Sequence, residues 1–149
     1  MSPADATQAE VTVVEGWSKP IPEPDNVSRD YWAACARGEL RVQECVDCSS
    51  RQFYPRSLCT ACGGDVRWLT TTGRGTIHTY TVIHQYGMPP FRDELPYVVA
   101  MVELPEGPFI MGNVTDCEVG DVHVGMPVEV HFSKIDDEVG IPFWRPSGR

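Results

Sequence analysis

Four cysteines arranged as two C-x2-C pairs constrain this chain more than any other feature. The pairs Cys45/Cys48 and Cys59/Cys62 lie in the stretch RVQECVDCSSRQFYPRSLCTACGGD and are separated by ten residues. Each C-x2-C pair occupies one knuckle turn, so two facing knuckles can form a tetrahedral four-sulfur cage of the kind that binds Zn²⁺. The spacer is long enough for a strand, a turn and the return. We therefore predict a zinc ribbon that binds one Zn²⁺ per chain through these four cysteines.

The metal site predicted from these cysteines is a structural one. A catalytic zinc keeps an open position for water, whereas four cysteine ligands close the coordination shell. A closed cage instead stabilises folding, and apparent zinc-binding energies in small modules are about 10–16 kcal/mol. Iron in the same cage would make a rubredoxin-like electron carrier, so the ligand set leaves electron transfer as an alternative.

The pattern of residues divides the chain into four ranges. Residues 1–25 are predicted to be an N-terminal arm, extended where prolines disfavour helix, and residues 26–72 a helix followed by the zinc ribbon. Residues 73–135 contain stretches of alternating or apolar residues that are typical of β-strands. Residues 136–149 are predicted to be a C-terminal tail with aromatic residues.

The strand-rich range predicts a barrel. Its strand candidates are GTIHTYTVIHQY, LPYVVAMVEL, FIMGNVT and VGMPVEVHF. Four or five strands over about 60 residues, mostly linked by hairpins, indicate a small closed barrel, and an OB-like barrel is the usual solution at this size. An open sandwich is the alternative. The predicted fold is therefore mainly β, with an N-terminal helix, a zinc ribbon and a five-stranded OB-fold barrel.

Length and composition place the chain among small globular proteins. Its 149 residues can build one core, or one core with a small satellite, and 42% of them are hydrophobic. No apolar run approaches the roughly eighteen residues of a membrane span, and the start, MSPADATQAEV, does not resemble a secretory signal. We expect a cytoplasmic protein with no membrane association, whose six cysteines are metal ligands and spare thiols rather than disulfides.

The distribution of charge argues against nucleic acid as the partner, although zinc ribbons and OB barrels both bind nucleic acids. The formal net charge is −9, and residues 93–138 contain eleven acidic residues and one lysine, a net −10. Binding a phosphate backbone requires a positive groove with stacking aromatic residues. A nucleic-acid-binding module is kept as an alternative function that the charge does not favour.

Candidate catalytic groups are few, and we predict no catalytic residue on this chain. Cys35 lies on the apolar face of the predicted helix, and Cys117 has acidic neighbours that would blunt its reactivity. In the first barrel strand Ile77, Thr79, Thr81 and Ile83 are predicted to share one face. The other face then contains His78 and His84, which line a groove on the barrel or face solvent.

The helix stretch YWAACARGELRVQEC, the cysteine ribbon ending in CGG, and the strands GRGTIHTYTVIH and LPYVVAMVEL together resemble one family over residues 20–145. It is the acyl-CoA-associated OB-fold family with a rubredoxin-like zinc ribbon, once catalogued as domain of unknown function 35. The resemblance implies a subunit of a thiolase or thiolase-like aldolase, whose partner holds most of the catalytic groups. Such partners cleave β-oxoacyl-CoA thioesters or CoA-linked sterol side chains. Aromatic acyl groups are a further substrate class to consider.

Five residues are predicted to contact the partner or an acyl-CoA ligand. Met88, Phe91 and Arg92 lie in the loop GMPPFRDE between two barrel strands, where Arg92 is a candidate for pairing with a CoA phosphate. Phe143 and Trp144 lie in the predicted tail and either anchor an interface or pack on their own barrel. We expect two copies of the chain to bind one dimer of a thiolase-like protein.

Overall fold

The computed structural model describes residues 8–148, which form nine strands and two short α-helices. These elements are β1 (Val11–Val13), α1 (Arg29–Ala36), β2 (Arg41–Cys45), β3 (Arg51–Gln52), β4 (Val66–Thr70), β5 (Arg74–Ile83), α2 (Pro89–Arg92), β6 (Tyr97–Glu103), β7 (Phe109–Val114), β8 (Pro127–Lys134) and β9 (Gly140–Pro146). A single 3₁₀ turn, Val119–Asp121, precedes β8. The predicted mainly β fold is confirmed.

Strands β5 to β9 close into a five-stranded barrel of the OB type. The pairing order is β8-β5-β6-β7-β9, and β9 also pairs with β8, which closes the ring. The β5–β6, β6–β7 and β8–β9 pairs are antiparallel, and β7 meets β9 in parallel where Val114 pairs with Trp144. The barrel interior is filled by buried aliphatic and aromatic side chains. These include Ile77, Val98, Val102, Ile110, Val128, Val130, Phe132 and Trp144.

The strand that closes the barrel lies in the range that the sequence predicts as a tail, so the prediction for residues 136–149 is wrong at residues 140–146. Two prolines interrupt this stretch and hide its strand character in the sequence. Asp136 turns the chain after β8 by accepting hydrogen bonds from the backbone of Glu138 and Val139, both at 2.8 Å. The barrel accommodates β9 because Trp144 fills its interior with no exposed surface.

Helix α1 covers one end of the barrel at the start of β9. A Cβ atom placed on Gly140 would lie 2.5 Å from the backbone of both Cys35 and Ala36, so the helix and the strand touch backbone to backbone. The Asp25 carboxylate caps the turn before α1 by accepting hydrogen bonds from the amides of Val27 and Ser28, at 3.0 and 2.7 Å. This packing fixes the helix against the barrel.

The described part of the predicted N-terminal arm is anchored at several points. Residues 1–7 of that arm lie outside the described residues. Strand β1 runs parallel to β8, with Val11 opposite Phe132, and the Ala9 amide donates to the Gly38 carbonyl at 3.1 Å. Residues 17–25 then run past the barrel to α1, so residues 8–25 of the arm are part of the folded structure.

The predicted alternation along β5 holds only in its first half. Ile77 is buried, but the pairing of β5 with β6 shifts register between Ile77 and Thr79. Beyond this irregularity Val82 packs against the core, while Thr79 and Thr81 are exposed. The prediction that Thr79 and Thr81 share the face of Ile77 is therefore wrong, because a bulge reverses which side chains point inward.

Candidate metal centre and an adjoining apolar cavity

The structure brings the four predicted cysteine ligands together at one end of a three-stranded ribbon made of β3, β2 and β4. Their Sγ atoms all lie within 4.8 Å of one another, with Cys45 and Cys62 at 3.5 Å and Cys48 and Cys59 at 3.7 Å. The first knuckle follows β2 directly and the second precedes β4. Four sulfur donors at this spacing are positioned to bind a metal ion.

Backbone amides of the knuckles point at the sulfur atoms. The Asp47 and Cys48 amides both donate to the Cys45 Sγ atom at 3.4 Å, and the Ala61 amide donates to the Cys59 Sγ atom at 3.3 Å. The amides of Cys62 and Ala61 lower the pKa of Cys59 to about 7. Ionisation of this thiol is therefore easier than that of an ordinary cysteine.

The neighbouring thiols act against ionisation at another position of the cage. The Gly64 amide lowers the pKa of Cys62, but the thiols of Cys45 and Cys48 raise it. The net result is a pKa raised to about 12. Four thiolates this close together repel one another, and a divalent cation removes that repulsion. The donor set thus fits a metal that binds deprotonated cysteines.

One acidic residue joins all three strands of the ribbon. The Glu44 carboxylate on β2 pairs with Arg51 on β3 at 2.9 Å and with Arg67 on β4 at 2.7 Å. Hydrogen bonds from Arg67, then from Arg51, lower the pKa of Glu44. The carboxylate therefore stays ionised and stabilises the ribbon beside the cage.

The spacer between the two cysteine pairs folds back onto β2 through a buried glutamine. Gln43 is 4% exposed, and its side-chain amide donates to the Arg56 carbonyl at 2.9 Å while its oxygen accepts from the Arg56 amide at 2.8 Å. Gln52 donates to the same oxygen at 2.9 Å and accepts from the Thr60 amide at 2.9 Å. Sequence reasoning missed Gln43, because nothing in a single sequence separates it from an exposed glutamine.

The spacer held in this way forms one wall of a cavity of about 760 Å³. The other walls come from the N-terminal arm, α1, strand β7 and strand β9. Aromatic side chains dominate the lining. They are Trp17, Tyr31, Trp32, Phe53, Tyr54, Phe91 and Phe143. Ile110, Met111 and Ile141 add aliphatic surface. The cavity is therefore predominantly apolar, as ligand-binding cavities usually are.

A lysine joins the arm to the loop between β5 and β6 at this cavity. The Lys19 ammonium lies 2.7 Å from the Glu94 carboxylate and is 18% exposed. It also lies over three aromatic rings, 5.2 Å from the centroid of Trp17, 5.7 Å from that of Phe91 and 6.0 Å from that of Phe143. These contacts hold Lys19 at the edge of the cavity.

The five predicted contact residues have different environments. Phe91 and Phe143 line the cavity, and Met88 is 46% exposed at the start of α2. The Arg92 guanidinium donates to the Gly87 carbonyl within its own loop. Trp144 has no exposed surface, so its prediction as a contact residue is wrong, because its side chain forms part of the barrel core.

The other residues considered for chemistry lie apart from one another. Cys35 is fully buried, and burial raises the pKa of its thiol to about 12, which leaves it unreactive. Cys117 is half-buried between β7 and β8. His78 is exposed and packs edge-on against Phe109 with centroids 4.9 Å apart, while His84 is exposed. The structure does not bring these groups together.

His131, to which the sequence assigns no role, lies beside the cavity wall. Its ring stacks on Phe143 with centroids 5.8 Å apart, and its Nε2 atom lies 2.7 Å from the Thr115 hydroxyl.

Neither α-helix in residues 8–148 has the length and apolar character to span a membrane.

Two family models match consecutive parts of the chain. The "ChsH2, rubredoxin-like zinc ribbon domain" matches residues 32–67 and the "ChsH2, C-terminal OB-fold domain" matches residues 68–133. A solved structure described as "Ltp2-ChsH2(DUF35) aldolase" has 30% sequence identity and a TM-score of 0.76, covering 85% of this chain and 99% of that chain. The chain belongs to the DUF35 family. The family resemblance inferred from the sequence is confirmed.

Curated relatives of this DUF35 chain have two kinds of description. A "DUF35 domain-containing scaffold protein" of Methanothermobacter thermautotrophicus is 36% identical over 104 residues, 68% of this chain and 77% of the relative. A "Probable enoyl-CoA hydratase alpha subunit" of Thermomonospora curvata is 31% identical over 130 residues, 87% of this chain and 40% of the relative. The DUF35 chain thus spans less than half of that hydratase subunit.

Proposed function

We propose that this chain is a zinc-containing accessory subunit of a thiolase or thiolase-like aldolase that forms or cleaves C–C bonds in acyl-CoA thioesters. The observation that carries the proposal is the match to the whole of a DUF35 chain from an aldolase, at 30% identity over 99% of that chain. Both modules, the ribbon and the barrel, take part in the match. Sterol side chains and aromatic acyl groups are the substrate classes that the family resemblance suggests.

The proposed division of labour leaves the chemistry to the partner. The four-cysteine cage has no position for a substrate once a metal is bound, and the Cys35 thiol is buried and protonated. Zn²⁺ is the proposed ion because tetrahedral four-sulfur sites in ribbons of this type most often bind it. In this role the metal closes the ribbon and so fixes the spacer that lines the cavity.

The loop between β5 and β6 supports the proposed contact with a partner. Met88 is 46% exposed, which leaves part of its apolar side chain in contact with water, and Phe91 lies three residues later on the short helix α2. We propose that this loop contacts the thiolase-like protein, with two DUF35 chains on one partner dimer. A cytoplasmic location is part of the same proposal.

Native co-purification tests the proposed assembly. The tagged chain is expected to recover a protein that mass spectrometry identifies as thiolase-like, and light scattering should give two copies of each chain. The variant Met88→Asp should weaken the reconstituted complex. The matched control is Val124→Asp, since Val124 is 63% exposed and lies in the turn before β8.

Enzyme assays of the same material test the division of labour. The partner should cleave acyl-CoA only when the DUF35 chain is present, and the DUF35 chain alone should be inactive. Recovery of a monomer with no thiolase-like companion would contradict the proposal, as would turnover by the pure chain.

A further inference from the structure

The cavity beside the ribbon has the composition of a ligand site. Its volume of about 760 Å³ lies within the roughly 300–1,000 Å³ that is usual for small-molecule sites. Five separate parts of the chain, namely the arm, α1, the spacer, α2 and the barrel, contribute its aromatic walls. A small protein gains most by packing such side chains against one another, so a cavity among them favours an apolar occupant.

The charges at this cavity differ from those of the rest of the molecule. Lys19, Arg56 and Asp25 are the charged lining residues, and together with Glu94, which pairs with Lys19, they sum to zero in a chain whose formal net charge is −9. Lys19 is paired with Glu94 at 2.7 Å. The Asp25 carboxylate accepts three hydrogen bonds from the turn before α1, including one from the Ser28 hydroxyl at 2.8 Å. The Asp25 carboxylate is thus already occupied by hydrogen bonds from residues of that turn.

Arg56 is the cation available for a ligand. Within residues 8–148 no carboxylate oxygen lies within 4.0 Å of its guanidinium nitrogens, which donate to the Pro55 carbonyl at 3.1 Å. The Gln43 side chain fixes the backbone of Arg56 through hydrogen bonds to both its carbonyl and its amide. Because no carboxylate within residues 8–148 pairs with the Arg56 guanidinium, its remaining N–H groups can donate hydrogen bonds to an anionic ligand without breaking an ion pair.

We infer that this cavity binds an amphipathic anion, with an apolar chain or ring system among the aromatic walls and an acidic group at Arg56. The apolar walls supply affinity for the body of the ligand, and the Arg56 guanidinium selects its charge. An acyl thioester of an acidic carrier belongs to this class of compound, and this last step rests on the proposed function.

Titration of the zinc-loaded full chain with three ten-carbon probes tests the inference. Decanoate, decanol and decyltrimethylammonium share an apolar chain and differ in charge. Trp17 and Trp32 line the cavity, so their fluorescence reports occupancy. Decanoate is expected to bind most tightly, decanol more weakly, and the cationic probe least. Equal binding of all three, or no binding of decanoate, would overturn the inference.

Charge variants locate the site. Arg56→Gln should weaken decanoate binding about tenfold, equivalent to ~1.4 kcal/mol, and Arg56→Lys should restore most of it. Lys134→Gln is the control, because Lys134 is a cation on β8 that does not line the cavity. Weakening by Lys134→Gln as large as that by Arg56→Gln would overturn the assignment to this cavity.

A blocking variant separates the cavity from the charges around it. Ser57 is an exposed residue of the spacer and lines the cavity, so Ser57→Phe should fill space there and abolish decanoate binding while the zinc content stays at one ion per chain. Undiminished binding by this variant would contradict the inference. Decanoate binding without recovery of a thiolase-like partner would refute the proposed function alone, and recovery of the partner without decanoate binding would refute the cavity site alone.

Discussion

The side-chain amide of Gln43 makes two hydrogen bonds to the backbone of Arg56, one in each direction, at 2.9 and 2.8 Å. Gln43 lies two residues before the first cysteine of the cage, and Arg56 lies in the spacer that forms a cavity wall. The pair therefore joins the candidate metal centre to the cavity. Whatever disturbs the cage should also disturb the wall, since both depend on the same strand.

Replacing Gln43 by leucine removes both of these hydrogen bonds. The Arg56 amide and carbonyl then lose buried partners, and each unsatisfied group costs about 1–3 kcal/mol. We expect the free energy of unfolding of Gln43→Leu to fall by about 2 kcal/mol or more, measured by urea denaturation. Gln85→Leu is the control, because Gln85 is exposed in the loop after β5. An equal loss in both variants would contradict the role of Gln43.

Replacing a cage cysteine should remove the metal. Cys59→Ser leaves three sulfur donors, and because zinc binding contributes on the order of 10 kcal/mol to small ribbons, we expect zinc content to fall to a small fraction and the midpoint of thermal unfolding to fall sharply. Elemental analysis and calorimetry measure the two quantities.

Cys117→Ser serves as the control for the cage variant, since Cys117 is half-buried and lies outside the group of four. This variant should keep its full zinc content. Native protein without zinc would contradict the zinc assignment, and a red, iron-containing preparation would favour electron transfer.

Acidification should destabilise the fold through His131. Burial lowers the pKa of His131, and the Asp116 carboxylate at 3.9 Å offsets only part of this effect. Because the unfolded chain then binds more protons than the folded chain, this contribution to stability is complete above the ordinary histidine pKa of about 6.5 and is lost as the pH falls below it.

Histidine variants can isolate the part of this pH dependence of stability that His131 causes. His131→Gln should remove part of the decline in unfolding free energy between about pH 7 and pH 5.5, as followed by urea denaturation at each pH. His84→Gln is the control substitution, because His84 is exposed just after β5. An unchanged decline in His131→Gln would show that other groups cause it.

Truncating Trp144 tests whether β9 is a structural strand or a tail. Trp144 is wholly buried and pairs with Val114 and Val130 on the two neighbouring strands. Truncation of a buried aromatic side chain to alanine typically costs 3–5 kcal/mol, so Trp144→Ala should lose roughly that much unfolding free energy. Phe109→Ala is the control, since Phe109 is 39% exposed and should lose much less unfolding free energy than the fully buried Trp144. A small loss at Trp144 would restore the prediction of a tail.

The parts of the structure that the sequence predicted are those set by local spacing. The cysteine cage follows from two short turns, β8 follows from alternation within a few residues, and β6 follows from a short apolar run before a turn. Strand β9 escaped prediction because Pro142 and Pro146 resemble loop residues, although β9 forms a hairpin with the preceding strand β8. Its pairing with β7 at Val114 and the burial of Trp144 are tertiary contacts that no local pattern records.

The cavity could not be predicted for a related reason. Its wall residues come from Trp17 at one end of the chain to Phe143 at the other, and only the closed barrel brings them together. The sequence did single out Phe91 and Phe143 as unusual, because both are aromatic residues in stretches rich in proline. Their position in one cavity became visible only with the fold.

The contact between α1 and β9 sets a limit on variation at one position. The Cβ of any residue other than glycine at position 140 would clash with backbone atoms of Cys35 and Ala36. Backbone atoms, unlike a flexible side chain, cannot move aside by changing rotamer. In a library of all single substitutions selected for soluble expression, position 140 should therefore retain glycine alone. Gly87 and Gly120, whose Cβ positions face open space, should accept many residue types.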